Sequence, residues 1–479
     1  MNGETDLSKL SALDLVEGYR TKDFSPVEVT EAVLARLEEI DGNLNAFCYR
    51  DDDAVRSMAS ESEARWMKDE PQGPVDGVPT SVKDVLRIKG WPTRLGSKTV
   101  DAKKMGEVDA PSVKRMRESG AVFIGMTTTP EMGWKGVTDS PVYGVSRNPW
   151  NMRMTPGGSS GGAAAAVACG VGPLAFGTDG GGSVRIPAGF TGIVALKPTF
   201  GRVAAWPPGL FGTLSHIGPM TRTVRDTALM MDVIGKPDSR DPWSLADDGV
   251  NFVDSAEGGI KGMKIAYSPD LGYVRVDPEI AALVDKAVEG LESLGAEVER
   301  IEFDVPKPEE AFRTIWYAAA AVSIRTESKT RRRFLDYGLA QIAEEGAKIS
   351  AMDLIEAERA RGVYCGQIGA LFDRFDLLVT PTLPIPAFEA GLEVPQDWPY
   401  ERWYTWTPFT YPFNLTRQPA LTVPCGFNSD GLPAGLQIIG PTQADAHVMR
   451  AGTAYQDAFS TLDRWPTAGR SAPVIEAVS

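Results

Sequence analysis

Apolar positions recur along the chain with two periods, and the switches between them mark its elements. Over residues 7–40 they fall three and four apart, which predicts two amphipathic helices. The second opens on Ser25-Pro26-Val27-Glu28, a capping box with proline at the first helical position, and its apolar face is Val29, Val33, Leu34, Leu37 and Ile40. A third helix is predicted over 53–67. Over 77–85 the pattern alternates toward a buried strand, with Lys83 near its end. A helix over 110–119 stops at Gly120, and a strand over 121–126 follows at once. Residues 127–149, rich in Thr, Gly, Pro and Asn, read as a long ordered loop of the functional kind.

The small residues Ala163 to Ala168 suit a helix packed closely on its surroundings. His216 to Arg222 leads into a helix over about 224–234, and the polar stretch 236–259 reads as a surface connection. A strand over 263–267, a helix over 278–294 capped by Asp277 and Gly295, and a strand over 297–301 form a further α/β unit. Residues 308–373 are mostly helical, and Arg331, Arg332 and Arg333 read as a solvated helix face. A strand over 376–380 precedes a Pro- and Trp-rich irregular segment, 381–406, placed to overhang a pocket. Strands over 420–425 and 434–439 are joined by the turn Asn428-Ser429-Asp430-Gly431, and a helix over about 444–459 closes the chain. No internal repeat is visible. The alternation predicts an α/β protein whose large sheet is covered by helices.

Composition narrows the partners. The 479 residues are 43% hydrophobic, ample for a sizeable core. A formal net charge of −15 argues against nucleic acid or an anionic membrane, either of which needs a basic footprint. The N-terminus is acidic and polar, without the pattern of a secretory signal, so a soluble, cytoplasmic protein is expected. The longest small-apolar run, 163–176, is broken by Gly170, Gly172 and Pro173, short of the roughly 20 residues a spanning helix needs. Cys48, Cys169, Cys365 and Cys425 are too scattered to signal a disulfide framework or a zinc site, and no metal or cofactor is expected. Histidine occurs only as His216 and His447, neither in a motif-like setting. The search for a general base therefore turns to lysine or a carboxylate.

The unusual chemistry is concentrated between Thr155 and Pro198. Ser159 and Ser160 lie inside GGSSGG, and Ser183 ends DGGGS. Gly180, Gly181 and Gly182 ahead of Ser183 look like a nest of backbone N–H donors beside a hydroxyl, an arrangement suited to acyl transfer with an oxyanion hole. Neither glycine cluster has the spacing of a P-loop or a dinucleotide fingerprint. Gly157-Gly158-Ser159-Ser160-Gly161 matches the GxSxG elbow of α/β-hydrolases, but two prolines stand where the elbow needs a strand, and the triad would need His216 or His447. Without histidine, a serine needs a neutral lysine as proton acceptor. Lys83, in an apolar strand-like setting, is the candidate, against the alternative of an ion pair with Asp84 or a remote carboxylate.

GVPTSVKDV, PGGSSGGAAAAVA, GTDGGGSVRIPA and GLPAGLQIIGP, in this order, resemble the amidase signature family over nearly the whole chain. The resemblance implies a single large domain over 1–479, a mixed β-sheet core with α-helices on both faces. Its parts would be N-terminal helices (1–70), a catalytic core (71–235), a second α/β part with a substrate-shaping helical insert (236–405), and C-terminal strands and helix completing the core (406–479). It also implies a Ser-Ser-Lys triad: Ser183 the nucleophile, Ser159 the bridging serine, Lys83 the base, with a cis peptide before Ser159. Asp179 and Arg185 match motif positions that support the loop. Two departures stand out: Gly180, where relatives commonly carry threonine or another side chain, and Arg417, often glycine, which is expected to alter the pocket rim. Ile186, where the subunit that transamidates glutamyl-tRNA usually has glutamine, favours a free-standing hydrolase. The expected reaction is hydrolysis of an amide, anilide or carbamate of a small molecule by a monomer or homodimer. The alternatives are a GxSxG esterase and that glutaminase subunit. Met132, Trp134 and the 398–406 region with Trp406 are expected to line an aromatic pocket, or else to pack the core.

Overall fold

Residues 6–467 are described by the computed structural model. In chain order the strands are β1 (Phe47–Tyr49), β2 (Pro79–Lys83), β3 (Val122–Thr127), the short pair β4 (Asp139–Ser140) and β5 (Gly144–Val145), β6 (Leu174–Asp179), β7 (Val194–Lys197), β8 (His216–Thr221), β9 (Lys264–Tyr267), β10 (Glu297–Arg300), β11 (Leu377–Pro381), β12 (Ala420–Phe427) and β13 (Pro433–Ile439). Eleven of them make one sheet in the order β1-β3-β2-β6-β8-β7-β12-β13-β11-β9-β10. β2 runs parallel to β3 and β6, and β11 parallel to β9, while β6–β8, β8–β7, β7–β12, β12–β13 and β13–β11 are antiparallel. The sheet is thus mixed, and it draws strands from near both ends of the chain, as one domain. Every residue of β2, β3, β7, β8, β11 and β13 is buried, so both faces of the sheet are covered.

Most of the longer helices form where the sequence signals them. Pro26–Leu44 begins at the Ser25/Glu28 capping box, with Ser25 Oγ accepting the Glu28 N–H at 3.2 Å and Glu28 accepting the Ser25 N–H at 2.8 Å. It turns Val29, Val33, Leu37 and Ile40 into the core, each burial being worth about 1.5–3 kcal/mol. Helices Val224–Ile234, Pro278–Ser293 and Asp445–Ala458 coincide with the predicted ones to within a residue. No helix among the described residues is long and apolar enough to cross a membrane.

Three central strands have no predicted counterpart: β6, β7 and β8. Glycine and proline interrupt β8 (HIGPMT), and no strand-like alternation marks β6 or β7, because almost every side chain in these strands is buried on one face or the other. These strands decide where chemistry can occur. Val82 of β2 pairs with Phe176 of β6, so Lys83 and the Thr178–Asp179 pair reach the same carboxyl-terminal edge of the sheet. Helix Gly161–Ala168 starts at that edge from Ser160, and all eight of its residues are buried.

Candidate active site

Lys83 is fully buried, and its nitrogen has no ion-pair partner among the described residues. Its Nζ lies 2.6 Å from Ser159 Oγ, 2.9 Å from Ser160 Oγ and 2.9 Å from Thr178 Oγ1. Burial pushes its pKa well below that of an ordinary lysine, and the more distant Asp179 carboxylate opposes this only in part. The Asp84 alternative does not form. That carboxylate accepts the backbone N–H groups of Arg94 at 2.7 Å and Gly96 at 2.9 Å and the Tyr143 hydroxyl at 2.8 Å, and burial raises its pKa to about 6.

The two serine loops are tied together beside this lysine. The Ser160 N–H donates to Ser183 O at 3.1 Å, and Ser160 Oγ donates to Thr178 O at 3.2 Å. Thr138 braces the turn, its hydroxyl donating to Gly157 O at 2.9 Å and accepting the Gly161 N–H at 3.0 Å. The Gly158–Ser159 peptide is cis.

Asp179 organises the loop before Ser183. Its carboxylate accepts Gly182 N–H at 2.7 Å, Arg185 Nε at 2.9 Å, Arg185 Nη2 at 3.0 Å and Asn414 Nδ2 at 2.8 Å. Burial alone would raise its pKa, yet the Arg185 guanidinium holds it well below the usual carboxylate range. Arg185 spends its other donors on Thr410 O, Gln437 Oε1 and Asn414 Oδ1, at 2.8, 2.8 and 2.7 Å, so the buried pair is fully satisfied. The Gly182 N–H is engaged by Asp179, whereas the N–H groups of Gly180, Gly181 and Ser183 have no acceptor among the described residues. Gly180 has its own reason to lack a side chain: a Cβ there would sit 3.0 Å from Trp316 Cζ3.

A cavity of about 550 Å³ opens above these groups, with Ser159, Thr178 and Ser183 among its lining residues. Met132 lines it. It shares with Leu95 a left-handed backbone, φ 55° and 56°, and its N–H donates to Leu95 O at 2.6 Å. Trp134 and Trp406 do not line the cavity; both indoles are wholly buried in the aromatic core, where Trp406 stacks on Phe190 and donates to Glu393 O at 3.0 Å. The aromatic wall comes instead from Phe211 and Trp316, stacked 3.6 Å apart, and from Trp206. Arg417 is also absent from the lining; its guanidinium lies over the Phe200 ring.

Neither histidine hydrogen-bonds to Ser159 or Ser183 among the described residues. His216 borders the cavity, but its Nδ1 lies 2.8 Å from Leu214 O and 3.2 Å from Asp179 O, and its Nε2 lies 3.5 Å from Lys197 Nζ. Burial lowers its pKa well below the ordinary value. His447 is exposed on the closing helix. Sequence reasoning gave no role to Thr178 or Ser160 beside the lysine. Thr178 has no local signal, since it reaches Lys83 only through the pairing of β2 with β6.

Residues 28–449 match the Amidase family. An acylamidase from Rhodococcus erythropolis is 36% identical over 471 residues, covering 97% of this chain and 98% of that protein. The crystal structure of a bacterial aryl acylamidase of the amidase signature family superposes with a TM-score of 0.88 at 34% identity, covering 94% of this chain and 96% of that one. One subunit of the glutamyl-tRNA(Gln) amidotransferase of Myxococcus xanthus is 32% identical, covering 94% of this chain and 97% of its own length.

Proposed function

The chain belongs to the amidase signature family and is an amidase acting on carbon–nitrogen bonds, and from that premise we propose that Ser183 attacks the amide carbonyl, driven by a Lys83–Ser159 proton relay. The observation that carries this is a buried, unpaired lysine nitrogen 2.6 Å from Ser159 Oγ, beside a loop that presents Ser183 to the same cavity. Neutral Lys83 takes the Ser159 hydroxyl proton as Ser159 takes that of Ser183, whose Oγ bonds to the carbonyl carbon. Charge gathers on the carbonyl oxygen, and the N–H groups of Gly180, Gly181 and Ser183 are the donors for it; losing one such donor typically costs about 3 kcal/mol. The relay then returns a proton to the leaving nitrogen as the C–N bond breaks, because an amine leaves poorly without one. Water adds to the acyl-Ser183 ester, and the relay runs again to release the acid.

A glutaminase that works beside a partner protein is the second reading, favoured by the amidotransferase relative. A glutamine substrate brings both an ammonium and a carboxylate into the pocket. The charged residues that line the cavity are Arg87, Lys104 and Glu107, all exposed to solvent, and Asp179, already held by Arg185. A buried zwitterion would therefore lack partners, which supports an uncharged amide, anilide or carbamate as substrate. Purified alone, the chain is expected to release amine from simple anilides and to be labelled at Ser183 by a fluorophosphonate. Silence on every uncharged amide, with ammonia released from glutamine only beside a partner protein, would reverse the order of the two readings.

A further inference from the structure

The cavity is deep at one end, and at its open end three large apolar side chains stand beside the exposed Arg87, Lys104 and Glu107. Ser159 and Ser183 are 1% and 3% exposed, whereas Met105, Val108 and Leu210, which line the same cavity, are 48%, 39% and 39% exposed. Large apolar side chains are seldom left in water as a group without a partner to cover them. These three come from two separate segments, so their convergence on one mouth is a product of the fold. Neither segment is a loose tip. Gly106 exchanges backbone bonds with the 90–91 strip, its N–H donating to Trp91 O at 2.8 Å and its carbonyl accepting the Gly90 N–H at 2.9 Å. The Ala110 N–H donates to Arg87 O at 2.8 Å. On the opposite lip, the Ala205 N–H donates to Asp241 at 2.8 Å, and the Arg240 guanidinium lies over the Trp206 ring.

We infer that this rim is a substrate subsite: Met105, Val108 and Leu210 receive the distal apolar tail of an elongated amide whose scissile bond sits at Ser183. The inference rests on the proposed position of the reacting bond. An anilide of acetic acid would fill only the floor of a 550 Å³ space, and the mouth would stay wet. A substrate with several further methylenes would cover the rim and be held along its whole length. Rim contacts made equally in the ground state and the transition state contribute to affinity and not to kcat, so binding is the quantity to measure.

The test separates binding from turnover. With Ser183→Ala protein, dissociation constants are measured for a series of N-alkanoyl anilides and a series of N-alkyl benzamides of rising chain length. In at least one series each added methylene is expected to tighten binding about fourfold until the tail passes the mouth. Met105→Ser and Leu210→Ser should flatten that slope, and Met105→Leu should keep it, which distinguishes a lost contact from a disturbed fold. No slope in either series, or a slope indifferent to both serine variants, overturns the inference. So does a concentration-dependent dimer that Met105→Ser abolishes while the slope survives, since the rim then covers a second copy of the chain. Turnover of the same compounds by the unaltered enzyme tests the reaction itself: a slope without hydrolysis leaves the subsite standing and removes the proposed mechanism, and hydrolysis without a slope does the opposite.

Discussion

Two lysines lie in the heart of this sheet, Lys83 at the end of β2 and Lys197 at the end of β7, and they differ in one respect that matters. Both are fully buried, and burial pushes both pKa values well below that of an exposed lysine; the Arg185 cation adds to the effect at Lys197. Lys83 is surrounded by three hydroxyls. Lys197 is surrounded by the carbonyls of Gln418 and Pro198 and by His216 Nε2. A hydroxyl can give a proton or take a hydrogen bond, whereas a carbonyl can only accept. The contrast teaches that desolvation alone does not make a base. It lowers the cost of the neutral amine, but the neighbours decide whether a proton can be handed to it.

Exchanging each lysine for methionine breaks the comparison most directly. Lys83→Met is expected to lower kcat/KM by about 10³–10⁴ with little net change in melting temperature, since folding works against protonation of this lysine but its removal leaves three buried hydroxyls without it. Lys197→Met should do the reverse, costing about 1–3 kcal/mol in denaturant unfolding from its orphaned carbonyls and less than tenfold in kcat/KM. Equal loss of activity in both variants would erase the distinction. Asp179→Asn tests the neighbouring buried charge that is paired: Arg185 would be left uncompensated, at a cost of about 3–5 kcal/mol in unfolding free energy.

The pH profile sharpens the contrast. Lys83 is active when neutral, so kcat/KM should fall as pH drops through its lowered pKa, giving an acid limb below the range of an ordinary lysine. Lys197→Met should keep that limb; its disappearance would assign the titration to the wrong lysine. A smaller effect, about fivefold in kcat/KM, is expected for Thr178→Val, which removes one of the three hydroxyls around Lys83 and leaves the Ser159 path in place.

Part of the proposed site is legible in the sequence. Ser159, Ser183 and Lys83 carry motif signals, and the shortage of histidine pointed away from an imidazole base. Thr178 was not legible because its neighbour is ninety-five positions away and is reached only across a strand pair. The aromatic wall was misplaced for a related reason. A tryptophan-rich stretch advertises bulk, not direction, and Trp134 and Trp406 turn into the core while Phe211 and Trp316, from a loop and a helix with no such concentration, turn toward the cavity. The central strands escaped notice because burial on both faces removes the alternation by which strands are read.

The indole of Trp316 occupies the space that a side chain at position 180 would need. A Cβ at 180 would lie 3.0 Å from Cζ3 of that ring, so any side chain there requires the indole to give by a few tenths of an ångström. Substitutions at 180 and 316 are therefore expected to be non-additive, and a library that varies both together samples combinations that single changes miss.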